Sequence, residues 1–209
     1  MSFENDLIKD KRREPLKNKI YRQVFGDDIG ITRFADEKNK KFLLDKEYHI
    51  DVEIRLPIGN VLTGQEKVLS HKYLEFNTFT IEYYQNRFIK ENGEFFNIAS
   101  QFYFVGYLNR EETDFDIYAI VKLFDFFVWL NQYPEYIEVK STTKSRASFF
   151  FVNLNLLPDN LFFAKWQKKN KALPKTTVAN RIANMRQGER TDIQPSANLP
   201  KINQDYHTL

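Results

Sequence analysis

The stretch His49–Leu69, HIDVEIRLPIGNVLTGQEKVL, constrains the fold more than any other part of the chain. Val52, Ile54 and Leu56 alternate with Asp51, Glu53 and Arg55, the period of two expected of a half-buried strand. Pro57-Ile58-Gly59-Asn60 then carries turn chemistry, so the run from Val61 to Leu69 reads as a second strand returning beside the first. Alternate side chains of a strand share a face, which puts Gln65 and Lys67 together and turns Glu66 to the opposite side. Charged residues on such strands commonly form the solvent face of an amphipathic sheet. The same alternation also sets an acid, an amide and a lysine where they can act together.

The flanking segments supply the other layers. Residues 4–25 read as a charged helix, with Pro15 interrupting it or opening its second part, because proline lacks a backbone donor and is tolerated in a first turn. From Thr32 to Tyr48, the apolar residues Phe34, Phe42, Leu43 and Leu44 sit among charged ones, the pattern of an amphipathic helix with Thr32 as its N-cap. Phe79–Tyr84 and Ile98–Tyr107 are rich in strand formers, with Asn92-Gly93 as a turn signal between them, and are expected to extend the sheet. Tyr118–Gln132 reads as a helix buried over much of its circumference, and Ser148–Leu154 as a further aromatic strand. The expectation is an α/β fold with a central mixed β-sheet flanked by helices. A basic helical extension covers 1–30, the core 31–163, and a basic, partly disordered tail 164–209.

A chain of 209 residues is long enough to bury one substantial core. It has no cysteine and only His49, His71 and His207 as histidines, so disulfides and thiolate sites are excluded and zinc would need other ligands. No apolar run approaches the roughly twenty residues of a membrane helix, and Met1–Asp6 does not open a secretory signal, so a soluble, cytoplasmic protein without a membrane partner is expected. The net charge of +3 does not by itself imply nucleic-acid binding, but the cations are unevenly placed. Lys165, Lys168, Lys169, Lys171 and Lys175 crowd the start of the tail, and Lys140, Lys144 and Arg146 stand among serines and threonines that also donate to phosphate oxygens. Such a tail would serve solubility equally well. The phenylalanines fall in strand and helix patterns, which points to core packing rather than base stacking.

An acid on one strand, a turn, and the triplet Gln65-Glu66-Lys67 on the next resembles the PD-(D/E)XK nuclease superfamily, the fold of many restriction endonucleases and Holliday-junction resolvases. The resemblance covers roughly the central half of the chain. It implies a restriction-endonuclease-like core and a metal-dependent nuclease that hydrolyses DNA phosphodiester bonds. Asp51, Gln65 and Glu82 would hold Mg²⁺ or Mn²⁺, and Lys67 would orient the attacking water or stabilise developing charge. In that superfamily a helix before the hairpin often adds an accessory acid, for which Glu37 is the nearest candidate. Lys144, Arg146, Lys165, Lys168 and Lys169 would contact the nucleic acid. The chain departs from the pattern at Gln65, where the family's triplet has an acid, and hard cations favour carboxylate oxygens. Glu82 could restore the missing charge, as could Glu66 if a bulge rotated it onto the active face. The alternative is a catalytically inactive protein on the same scaffold that binds DNA or another protein, and a homodimer is compatible with either reading.

Overall fold

The computed structural model describes residues 3–34, 42–136, 138–141 and 146–168. Helix α1 (Phe3–Phe25) is continuous through Pro15 and leads to β1 (Gly30–Arg33), α2 (Phe42–Tyr48), β2 (Val52–Arg55) and β3 (Val61–Leu69). β4 (Thr78–Asn86), β5 (Glu91–Asn92), the single-turn α3 (Glu94–Asn97), β6 (Phe102–Leu108) and β7 (Phe115–Lys122) follow. The chain then forms α4 (Leu123–Gln132), β8 (Glu138–Lys140), β9 (Ser148–Asn153) and β10 (Phe162–Gln167).

The main sheet has six strands in the order β1-β2-β3-β6-β7-β10. The β3–β6 pair is parallel and every other pair antiparallel, so the sheet is mixed as expected. β6, FYFVGYL, is buried at every position because it feeds two cores. Phe102, Phe104 and Leu108 meet Ile20 and Tyr21 of α1, with Val52, Ile54 and Phe115 beside them. Tyr103, Val105 and Tyr107 face the other way, onto Phe79 and Ile81 of β4, Phe126 and Leu130 of α4, and Phe150 of β9. Helices thus cover both faces of the sheet. Gly64 is dictated by this packing, since a Cβ there would lie 2.2 Å from the Phe102 ring.

A second, antiparallel sheet runs β5-β4-β9-β8. β4 pairs with β9 along one edge and, at Tyr84–Asn86, with β5 along the other, while side chains from the main sheet reach its backbone at Thr78 and Thr80. The Tyr107 hydroxyl donates to the Thr78 carbonyl at 2.6 Å and accepts the Thr78 N–H at 2.8 Å. Tyr103 Oη and Lys67 Nζ both reach the Thr80 carbonyl, each at 3.4 Å.

Several expectations change. Thr32 lies in β1, paired with Glu53, and is not a helix N-cap; α2 is described over Phe42–Tyr48, and Glu37 falls outside the described residues. Tyr118–Lys122 completes β7 and the helix starts at Leu123, because a strand buried on both sides and a buried helix form one unbroken apolar run. Phe79–Tyr84 belongs to the second sheet and does not extend the first. α1 contributes core residues to the main sheet, and β10 carries the sheet through Ala164–Gln167, past the expected start of the tail. Residues 169–209 lie outside the described residues.

Candidate active site

β3 presents two chemically different faces. Register with β6 sets Gln65 beside Tyr103 and Lys67 beside Val105 on the face toward the second sheet, while Glu66 lies beside Phe104 on the α1 face. The alternation read from the sequence therefore holds. No bulge brings Glu66 round to join Gln65 and Lys67.

Glu66 is the hub of a buried ion network. Its carboxylate accepts Tyr21 Oη at 2.9 Å, Arg33 Nη2 at 2.9 Å and Arg33 Nε at 3.1 Å, and it pairs closely with Lys17 Nζ. The side chains of Glu66 and Lys17 are 3% and 0% exposed. Burial alone would raise the Glu66 pKa, but the charges of Lys17 and Arg33 outweigh it and hold the carboxyl below its ordinary value. Lys17 also bonds Asp10 Oδ1 at 2.9 Å, so the network ties α1 to β1 and β3.

Asp51 stands one residue before β2, where the β2–β3 ladder ends. Its N–H donates to the Gly64 carbonyl at 2.9 Å and its Oδ2 accepts the Glu66 N–H at 2.8 Å, so the acid brackets Gln65. Its carboxyl and that of Asp45 on α2 are near enough to influence each other's ionisation. Burial pushes the Asp51 carboxyl well above the usual carboxylate range, and the like charges of Glu66 and Asp45 add to the effect. Burial raises Asp45 as well. The Gln65 Oε1 is buried without a hydrogen-bond partner.

Lys67 faces a different pair of acids. Burial lowers its pKa, opposed by the charges of Glu94 and Glu82. Glu82 is raised by burial and by Glu94, with Lys67 and His49 opposing. Glu94, at the start of α3, is buried; its Oε1 has no partner and its Oε2 makes only long contacts of 3.5 Å to the Glu82 N–H and Tyr103 Oη. The structure thus brings Asp51 to Gln65, and Lys67 into the field of Glu82, as two adjoining groups along one strand.

Three site residues escaped the sequence reading: Asp45, Glu94 and Tyr103. Glu94 follows a turn signal and Asp45 sits among lysines and glutamates, so neither carries a local mark, while Tyr103 is hidden in an aromatic run. Among the described residues, no three His, Asp or Glu side chains form a group able to hold a metal ion. The oxygen atoms of Asp51, Asp45 and Gln65 nevertheless suit a hard cation in type, and the Gln65 oxygen is buried without a partner.

The expected phosphate contacts are scattered. Lys165 Nζ donates to the Leu154 carbonyl at 3.1 Å and lies 3.9 Å from Asp159, and Lys168 lies 3.6 Å from Asp116. Arg146 is exposed, and Lys144 and Lys169 fall outside the described residues. No helix among the described residues is long and apolar enough to cross a membrane. No family model, curated protein or solved structure matches the chain.

Proposed function

We propose that this α/β protein is a cytoplasmic, metal-dependent nuclease hydrolysing DNA phosphodiester bonds at the β2–β3 hairpin. The observation that carries the reading is the buried Asp51 carboxyl bonded to the Glu66 N–H, with the Asp45 carboxyl acting on it and the unpartnered Gln65 oxygen and Lys67 following along one face of β3. Asp51, Asp45 and Gln65 would hold Mg²⁺ or Mn²⁺, with Asp45 in the accessory place first sought at Glu37. The cation supplies Lewis acidity toward the phosphate and lowers the pKa of a bound water. Lys67 contributes a compact positive charge to the developing phosphorane oxygens. The charges of Glu94 and Glu82 oppose the fall in its pKa that burial causes, and the ammonium donates to the Thr80 carbonyl. Tyr103, whose hydroxyl pKa burial raises well above ordinary, remains a neutral hydrogen-bond donor in the same space.

A non-enzymatic scaffold is favoured by one feature. Asp51 caps a strand-edge N–H and Lys67 caps a β4 carbonyl, jobs that require no chemistry. Cleavage of plasmid, single-stranded and branched DNA with Mn²⁺ separates the readings. The nuclease reading expects activity in wild type and in Gln65→Glu, and a loss of roughly a hundredfold or more in Asp51→Asn and Lys67→Ala. Cleavage that survives Lys67→Ala, or none by any protein on any substrate, moves the assignment to the scaffold.

A further inference from the structure

The hairpin joining β4 to β5 ends in Arg87-Phe88-Ile89-Lys90 and presents two large apolar side chains to water, Phe88 70% and Ile89 71% exposed. The tip is pinned in place. Asn86 Oδ1 accepts the Phe88 N–H at 3.2 Å, the Arg87 N–H donates to the Arg146 carbonyl at 2.8 Å, and the Arg87 guanidinium bonds the Ser141 hydroxyl and lies 4.9 Å over the Phe88 ring. These contacts bring Arg146, from the serine- and lysine-rich loop, beside the apolar tip. Arg87, Lys90 and Arg146 have no carboxylate partner among the described residues, whereas Lys140 is paired with Glu138. Glu91, next to Lys90 in sequence, is the other acid at this end.

We infer that the β4–β5 tip is a nucleic-acid wedge, in which Phe88 and Ile89 enter between stacked bases while Arg87, Lys90 and Arg146 hold the phosphates on either side. One or two apolar side chains are enough to unstack a base step and kink a duplex. Guanidinium, ammonium and hydroxyl groups around them are donors to phosphate, and each neutralised phosphate releases counterions. A lipid surface also accepts an apolar tip ringed by cations, but membrane binding scales with buried apolar area and two side chains supply little of it. The inference rests on the nucleic-acid part of the proposed function and not on catalysis.

The test uses the full chain with EDTA throughout and duplex and branched DNA carrying 2-aminopurine at a central step. Wild type is expected to raise the fluorescence on binding. Phe88→Ser/Ile89→Ser is expected to bind roughly tenfold more weakly and give no rise, with an unchanged melting temperature because both side chains are exposed. Arg146→Ala should lower the salt slope by about one. Because EDTA removes any metal-dependent cleavage, binding and unstacking are read independently of the catalytic reading. Any of four results overturns the inference: no DNA binding by wild type, binding without a fluorescence rise, a double variant that still unstacks, or a double-variant defect confined to phosphatidylserine vesicles.

Discussion

Replacing Glu66 by glutamine keeps the shape of the hub and removes its charge. Lys17, with a fully buried side chain, would retain only Asp10, whose side chain is 43% exposed, and Arg33 would lose its bidentate partner. Breaking a buried ion pair by neutralising one member costs about 3–5 kcal/mol, because the remaining charge stays out of water. For a chain of this size each kcal/mol lowers the melting temperature by about 2–4 °C, so a fall on the order of 10 °C is expected. Urea denaturation followed by circular dichroism measures the free energy, and calorimetry the temperature. The loss should persist at high salt, since a pair this enclosed is screened little. Adding Lys17→Met to Glu66→Gln should recover at least half of it, because the double variant no longer strands an ammonium. A Glu66→Gln protein within 1 kcal/mol of wild type, or a double variant whose losses simply add, would refute the reasoning.

Two further outcomes are expected. Gly64→Ala should destabilise by about 1–3 kcal/mol because the new methyl meets the Phe102 ring; Gly30→Ala, with its nearest neighbour an ordinary 3.5 Å away, should change stability little, and equal urea midpoints for the two would contradict the packing account. The raised Asp51 pKa means that the folded state holds its proton more tightly than the unfolded chain, so this group's contribution to stability declines as pH rises through the folded value. Asp51→Asn, whose amide oxygen can still accept the Glu66 N–H, should therefore gain stability relative to wild type as pH rises, in the metal-free protein, and abolish the Mn²⁺-induced rise in melting temperature that the proposed site would give and that in wild type grows with pH. A Mn²⁺ shift that is flat in pH, or unchanged in Asp51→Asn, contradicts this.

What the sequence revealed and what it hid divide along physical lines. The faces of Gln65, Glu66 and Lys67 were legible because alternation is a local property of an extended chain, and β9 stood out by its aromatic and β-branched residues. The role of Glu66 was not legible, because Lys17 and Arg33 approach it from 49 and 33 residues away. The boundary at Leu123 was hidden because β7 is buried on both sides and loses its period of two where it meets an apolar helix. β4 looked like a member of the first sheet because strand propensity carries no statement of which partner a strand will choose. Asp45 and Glu94 became site residues only once α2 had reached the Asp51 end of β2 and α3 had folded against β4.

The order in which the chain visits its two sheets governs how it can be cut and how it unfolds. It leaves the main sheet after Leu69, builds β4 and β5, returns for β6 and β7, leaves again for β8 and β9, and closes the main sheet with β10. The two sheets are therefore interleaved along the sequence, and no single point along the backbone separates them. Strands β3 and β6, neighbours in space, become adjacent only after the intervening thirty-odd residues have been placed, a loop-closure demand that slows folding. Unfolding should accordingly be a single cooperative transition of the two sheets together, with amide protons of β4 and β6 exchanging at a common rate rather than as separate layers.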